Sequence, residues 1–253
     1  MAPPDPHALA AYTTAELAAL LAARAVALLP VGSVEPHGPH LPLATDTIIS
    51  EAACARAAPR LERELGVRAL IAPAVPYGVT DYAAGFAGAV SIPAAALTAY
   101  LGAVVDALRA AGFAHVCVVN NHLEPEHDAA IRAVLTPARG RGVSVACPLT
   151  RRWARTLSVE FKSGACHAGQ YETSIVLAAA PTLVDEPARA ALPEVPVSLS
   201  QQIAAGNTTF AAMGLTQAYA GAPASATAEE GEQLLALLAE MVVQEVADAL
   251  RVG

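Results

Sequence analysis

Residues 25–46 read AVALLPV followed by GSVEPHGPHLPLATD. The first seven positions, 25–31, are apolar without interruption, and no polar residue alternates with them. A strand buried on both faces has this composition, and such strands belong to parallel sheets covered by helices on either side. The remainder turns abruptly to Gly, Pro, His and acid. A loop rich in reactive side chains directly after a buried strand is the layout of an open α/β sheet, whose ligands gather outside the carboxyl ends of the strands.

Outward from this stretch the chain alternates. Thr13 with Glu16 makes a capping-box pattern that starts a helix running to about Arg24. A helix is expected over 47–64, a strand over 68–75, a helix from Pro93 to Ala111 with Gly112 as its stop, and a strand over 115–120. Then come a helix over 124–135, a strand over 143–147 and a helix over 169–180. Thr227 with Glu230 caps a last helix to about Leu250. Alternating apolar strands and helices predict an α/β protein, a three-layer α/β/α sandwich with a mostly parallel sheet. No repeat or linker interrupts it, so 1–253 is read as one domain. The segment 181–223 is rich in Pro, Gly and Thr and lacks periodicity; it reads either as an excursion over the site or as a subunit contact.

Composition narrows the function classes. Of 253 residues, 55% are hydrophobic and 15% charged, and the net charge is −8. Mean hydropathy is +0.43 and the pI about 5.3. So little charge to cover the exterior predicts apolar surface shared between copies, a homo-oligomer. Lys162 is the only lysine, and no basic run exists to hold a phosphate backbone, so no nucleic acid is expected. Arg151, Arg152 and Arg155 read as a solvated helix turn, as an intersubunit contact, or as an anion clamp near the site. The four cysteines make no C-x-x-C pair and suggest a reducing cytoplasm. Residues 1–14 carry no signal-type stretch, and 17–29 is too short to span a bilayer, so no membrane is expected.

Two polar clusters stand at strand ends. One holds Glu35, His37 and Asp46; the other holds His122 and Glu124. Each contains a carboxylate and an imidazole one residue apart, and in extended backbone i and i+2 point the same way. Imidazole with carboxylate suits Zn²⁺, with Mn²⁺ or Fe²⁺ as alternatives. Five donors exceed the needs of one catalytic zinc, and a bridging Asp46 would let them serve two divalent ions. A third cluster places His167 just before a helix and Glu172 in its first turn. Glu172 reads either as a helix-capping carboxylate or as part of the chemistry. Glu126, His127 and Asp128 read as first-turn helix residues. Tyr77 and Tyr82, with Phe86, read either as substrate-binding residues at a pocket entrance or as interface packing.

These blocks resemble a known family. The run 32–43 with Thr45 and Asp46, then His122-x-Glu124, then His167-Ala-Gly with Glu172-Thr-Ser, is similar in content and order to the motifs of the creatininase (creatinine amidohydrolase) family. The resemblance implies an α/β/α sandwich, a dinuclear metal centre and a hexamer. It implies one metal on Glu35, Asp46 and His122, and the other on His37, Asp46 and Glu124. It also implies hydrolysis of the C–N bond of a cyclic amide, formamide or peptide by a metal-bridged water. His167 would then pass a proton to the leaving nitrogen and Glu172 would orient it. Pro125 replaces the glycine-rich turn of many members, Gln170 stands where many carry Glu, and the only tryptophan is Trp153; creatinine is therefore not the expected substrate. Two other readings compete: Cys166 as a nucleophile activated by His167, and a non-catalytic, metal-stabilised subunit of a larger assembly.

Overall fold

A computed structural model describes residues 5–251; Met1 to Pro4 and the last two residues, included in the expected domain and leaderless N-terminus, lie outside the described residues. Four strands, β1 (Val26–Val31), β2 (Ala69–Ile71), β3 (His115–Asn120) and β4 (Val143–Ala146), form an all-parallel sheet in the order β2-β1-β3-β4. The helices are α1 (Thr14–Ala22), α2 (Thr45–Leu65), α3 (Ala94–Ala110), α4 (Pro125–Arg132), α5 (Arg151–Ala154), α6 (Val159–Ser163), α7 (Gln170–Ala179), α8 (Glu186–Ala191), α9 (Leu199–Ala204) and α10 (Ala228–Arg251).

The unbroken apolar runs divide by pleat. Val26, Leu28, Cys117, Val119 and Ala146 point to one face, into a core with Ile49 and Leu61 of α2, Ile175 of α7 and Leu235, Leu238 and Val242 of α10. Ala27, Leu29, Val31, Val116 and Val118 point to the other, into a core with Leu97, Leu101 and Val105 of α3 and Ile131 of α4. Two cores, one per face, explain why the strands carry no polar alternation. The expected three-layer α/β/α architecture is the observed one.

The chain leaves β1 through α2 toward β2, while β3 lies on the other side of β1. This reversal opens a crevice between the carboxyl ends of β1 and β3, where open α/β sheets bind ligands. Both predicted ligand clusters follow those two strands.

Boundaries differ where hydrogen bonding overrules hydrophobicity. The strand expected over 68–75 ends at Ile71. Pro30 has no N–H to donate toward it, so after the Ala72 N–H on the Leu28 carbonyl at 2.8 Å the pairing reduces to an isolated bridge, with the Val75 N–H on the Pro30 carbonyl at 3.0 Å. The Thr13–Glu16 capping box forms as expected. At the last helix only half of the box forms: Thr227 Oγ1 accepts the Glu230 N–H, but the Glu230 carboxylate turns to Ser174 and Gln170. The segment 181–223 contains α8 and α9. Its later part carries Phe210, which packs with Met213, Leu215 and Ala83 in a small third core beside the crevice. Leu199, Ile203 and Phe210 of this segment line the crevice, so it does run over the site. No helix among the described residues is long and apolar enough to cross a membrane.

Candidate metal centre

Local backbone brings the donors together. Gly32 ends β1 against the start of α2; a Cβ there would stand 2.6 Å from the Thr47 nitrogen, so only glycine lets the helix start approach this closely. That contact sets the place of Asp46 in the first turn of α2. Ser50 of α2 donates to the Val31 carbonyl at 2.7 Å and accepts from the Asn121 amide at 3.0 Å, tying α2 to the ends of both strands. Asn120 folds the chain after β3: its amide donates to the His122 carbonyl at 2.7 Å and its side-chain oxygen accepts the His122 N–H at 3.1 Å.

The imidazoles are aimed by backbone carbonyls. His37 Nδ1–H donates to the Glu35 carbonyl at 3.1 Å, leaving Nε2 facing inward. His122 Nε2–H donates to the Val79 carbonyl at 2.7 Å, leaving Nδ1 facing inward. His167 Nε2–H donates to the Pro36 carbonyl at 3.0 Å. Fixing one ring nitrogen this way is how proteins orient a metal-ligating histidine.

Asp46 stands between the two inward rings. Its Oδ1 lies 3.2 Å from His37 Nε2 and its Oδ2 3.0 Å from His122 Nδ1. Glu35 Oε1 lies 3.1 Å from His122 Nδ1 and 3.7 Å from both His37 Nε2 and His167 Nδ1. Glu172 Oε2 lies 3.6 Å from His37 Nε2. Three groups of donor atoms are therefore mutually within 4.8 Å: Glu35, Asp46 and His122; His37, Asp46 and Glu172; and Glu35, His37 and His167. His37 Nε2 and Asp46 Oδ2 are buried, and among the described residues they face only the imidazole and carboxylate atoms of the cluster, an arrangement that a cation would satisfy.

The electrostatics follow from burial and mutual charge. Burial pushes the Glu35 carboxyl up, but His122 beside it more than reverses this and holds it at about 2. Burial pushes His37 down, but Asp46, Glu172 and Glu35 raise it to about 10. Asp46 is lowered by the charges of His122 and His37, and His122 is raised by those of Glu35 and Asp46, in each case against burial. His167 is pushed down to about 4 by burial and by His37. Burial raises Glu172 to about 8. Without metal, protons on two imidazoles balance the carboxylates.

The predicted residues are not all gathered. Glu35, His37, Asp46, His122, His167 and Glu172 converge, whereas Glu124 joins none of the three groups. Its carboxylate accepts the N–H groups of Asp81 at 3.0 Å and Tyr82 at 3.2 Å, and burial raises it to about 7. The carboxylate that lies with His37 and Asp46 in one of those groups is that of Glu172. It also accepts the Ala168 N–H at 2.6 Å, so it caps backbone and faces His37 at once. Ala168 itself has φ +50°, a left-handed conformation costly for a residue with a Cβ, held between His167 and the start of α7. Tyr82 lines the crevice and packs on Phe210; Tyr77 is 49% exposed and outside the cavity lining. Burial raises the Cys166 thiol to about 12, which argues against a nucleophilic thiolate.

Several contributors escaped the sequence reading. Thr80 donates its hydroxyl to Glu35. His127 is not simply a first-turn residue: it is buried edge-on against His122, accepts the Val79 N–H at 3.2 Å and contacts Asn120 Oδ1 at 3.1 Å. Gly78 was the signal, since a Cβ there would lie 2.4 Å from the His127 ring. Phe210 lies 4.4 Å, ring to ring, from His167.

The fold and crevice define a parallel α/β protein with a buried carboxylate–imidazole cluster at its topological switch point. The chain matches the family described as creatinine amidohydrolase over residues 10–246 and belongs to the creatininase family; it is a hydrolase of that family. It is 36% identical, over 87% of its length and 84% of the relative's, to the mycofactocin precursor peptide peptidase of Mycobacterium tuberculosis (strain CDC 1551 / Oshkosh). Among solved structures, a mutant creatininase of Zn-Zn type superposes with TM-score 0.71 at 23% identity, covering 95% of this chain and 96% of that one. A structure titled "Creatininase Mn" superposes with TM-score 0.68 at 25% identity, covering 98% of each chain.

Proposed function

We propose that the chain hydrolyses the C–N bond of a peptide or related amide at a centre of two divalent ions. The observation that carries this reading is Asp46, whose two oxygens face two different imidazoles at 3.2 and 3.0 Å, the stance of a bridging carboxylate. Glu35 and His122 would complete one set of ligands. His37 would belong to the other, with Glu172 as the nearest carboxylate and Glu124 as the alternative from the sequence motif. Zinc is the first choice for such donors, with manganese or iron next. Divalent ions held there supply Lewis acidity to a carbonyl oxygen and lower the pKa of a water molecule.

The chain's own residues do the rest. His167, neutral at pH 7, sits beside Glu35 and is fixed by the Pro36 carbonyl, so its Nδ1 can take a proton and return it to a leaving nitrogen. Glu172 holds the backbone before α7 and fixes the neighbourhood of His37. Phe210 covers His167 and excludes water from that side. The cavity lined by these residues has a volume of about 600 Å³, room for a peptide segment. The similarity to a peptide peptidase supports an acyclic peptide bond over creatinine. A homo-oligomer in the cytoplasm, a hexamer by family resemblance, is part of the same proposal and is tested by mass in solution.

The deciding experiment is Asp46→Ala. Metal content should fall from two ions per chain and turnover should vanish together. Full activity in a metal-free Asp46→Ala protein sinks the proposal.

A further inference from the structure

The chain holds fifteen Lys and Arg against twenty-three Asp and Glu. With acid in excess, most cations are taken. Arg56, Arg60, Arg63, Arg68, Arg132, Arg139, Arg152 and Arg189 each pair with a carboxylate. Arg151, Arg155 and Lys162 pair with nothing among the described residues. All three are exposed, on or beside the short helices α5 and α6, and all three line the same cavity as Glu35, Asp46, His122 and His167.

Chance and solvation explain one free arginine on a surface. Three unpaired cations sharing one cavity in a chain this acidic need another account. None of them closes onto the carboxylates of the centre, although those charges line the same space. The wall between them carries apolar Leu123, Leu149, Phe161, Leu199, Ile203 and Phe210, and its acids outside the centre are spoken for, Glu124 by the N–H groups of Asp81 and Tyr82 and Asp128 by Arg132. A cavity with an amide-hydrolysing floor, a partly apolar wall and a group of cations without ion-pair partners is complementary to a substrate that has an amide, apolar side chains and a negative charge away from the scissile bond.

We infer that Arg151, Arg155 and Lys162 form a carboxylate-recognition site, so that this enzyme selects peptides carrying a carboxylate away from the bond it cleaves. The inference rests on the amide-hydrolase reading above and names the substrate class of that site. A free C-terminus and an acidic side chain offer the same chemistry, and the guanidinium fork suits either.

Three matched peptides separate the sources: one with a free C-terminus, the same peptide amidated, and an amidated version with an aspartate near its end. They are assayed with metal-loaded native protein and with Arg151→Ala, Arg155→Ala, Lys162→Ala and the triple variant. All three positions are exposed, so the fold and the metal content should hold, which metal analysis checks. For a carboxylate-bearing peptide, each single change should raise KM about two- to fivefold and the triple change roughly thirtyfold, with kcat little altered, as exposed charge pairs contribute modestly. The effect should shrink as salt rises. The amidated peptide without acid should be indifferent to the same changes. Preference for the free C-terminus assigns the charge to the chain end; equal use of the aspartate peptide assigns it to any carboxylate. Native and triple proteins that discriminate acid from amide equally overturn the inference. If no peptide is turned over, the hydrolase reading is what fails. The anion site is then decided by calorimetric binding of acetyl-dialanine and of its amide: preference for the acid that is lost in the triple variant supports it, and equal binding to native protein overturns it.

Discussion

The two ligand pairs are mirror images in sequence, Glu35-x-His37 after β1 and His122-x-Glu124 after β3, but the structure uses them differently. Both members of the first pair turn into the centre. The second pair divides: His122 enters, while Glu124 turns to the N–H groups of Asp81 and Tyr82. Spacing decides which side of an extended chain a residue occupies. Which atom its carboxylate then meets depends on donors from elsewhere in the chain. Around Glu35 the donor is the Thr80 hydroxyl, which leaves Oε1 facing the imidazoles. Around Glu124 two backbone donors occupy both oxygens.

The strongest way to break this comparison is to remove the member of the second pair that does enter. His122→Ala should lower metal affinity and turnover by more than about a hundredfold, beyond the loss typical of a residue that only supports a ligand. Retained metal stoichiometry would place His122 outside the centre. Next come the two competing carboxylates. Glu172→Gln should weaken metal binding by about ten- to a hundredfold, whereas Glu124→Gln should leave affinity within about threefold while slowing turnover. Competition with a chromogenic chelator measures both, and the reverse order would restore Glu124 as the ligand.

A smaller effect comes from protons. In metal-free protein His37 is raised to about 10 and Glu172 to about 8. A group raised on folding adds stability below its unfolded pKa and loses that stability as pH rises through its folded pKa. Metal-free protein should therefore lose thermal stability as pH rises from about 6.5 to 10, while metal binding, which displaces these protons, should strengthen with pH. The gap in Tm between metal-loaded and metal-free protein should widen across that window; a constant gap contradicts it. Smallest of all, Tyr82→Ala should raise KM a few-fold through lost packing on Phe210, and Tyr77→Ala should leave it unchanged, as steady-state kinetics will show.

Much of this was legible in the sequence because it rests on local rules. Unbroken apolar runs announced β1 and β3, and the period-two split into two cores followed from being buried on both faces. Histidine, proline and acid placed directly after those runs announced the crevice. Glu35, His37, Asp46 and His122 converge because short loops leave them little freedom. Less legible were features created by distant contacts. Nothing near Glu124 indicates that residues 81–82 will claim it, nothing near Thr80 points to Glu35, and nothing near Phe210 points to His167. The shortening of β2 could have been anticipated, because Pro30 lacks a donor.

Gly32 has a consequence for how such an enzyme can be damaged. It is a spacer of almost zero thickness between β1 and α2, and Asp46 takes its position from that spacing. A methyl group at residue 32 would act as a shim, lifting the helix start and carrying a carboxylate off both imidazoles without altering one donor. Random mutagenesis scored for metal loss should therefore recover Gly32 beside the ligands themselves. A survey that looked only for chemically reactive side chains would pass it over.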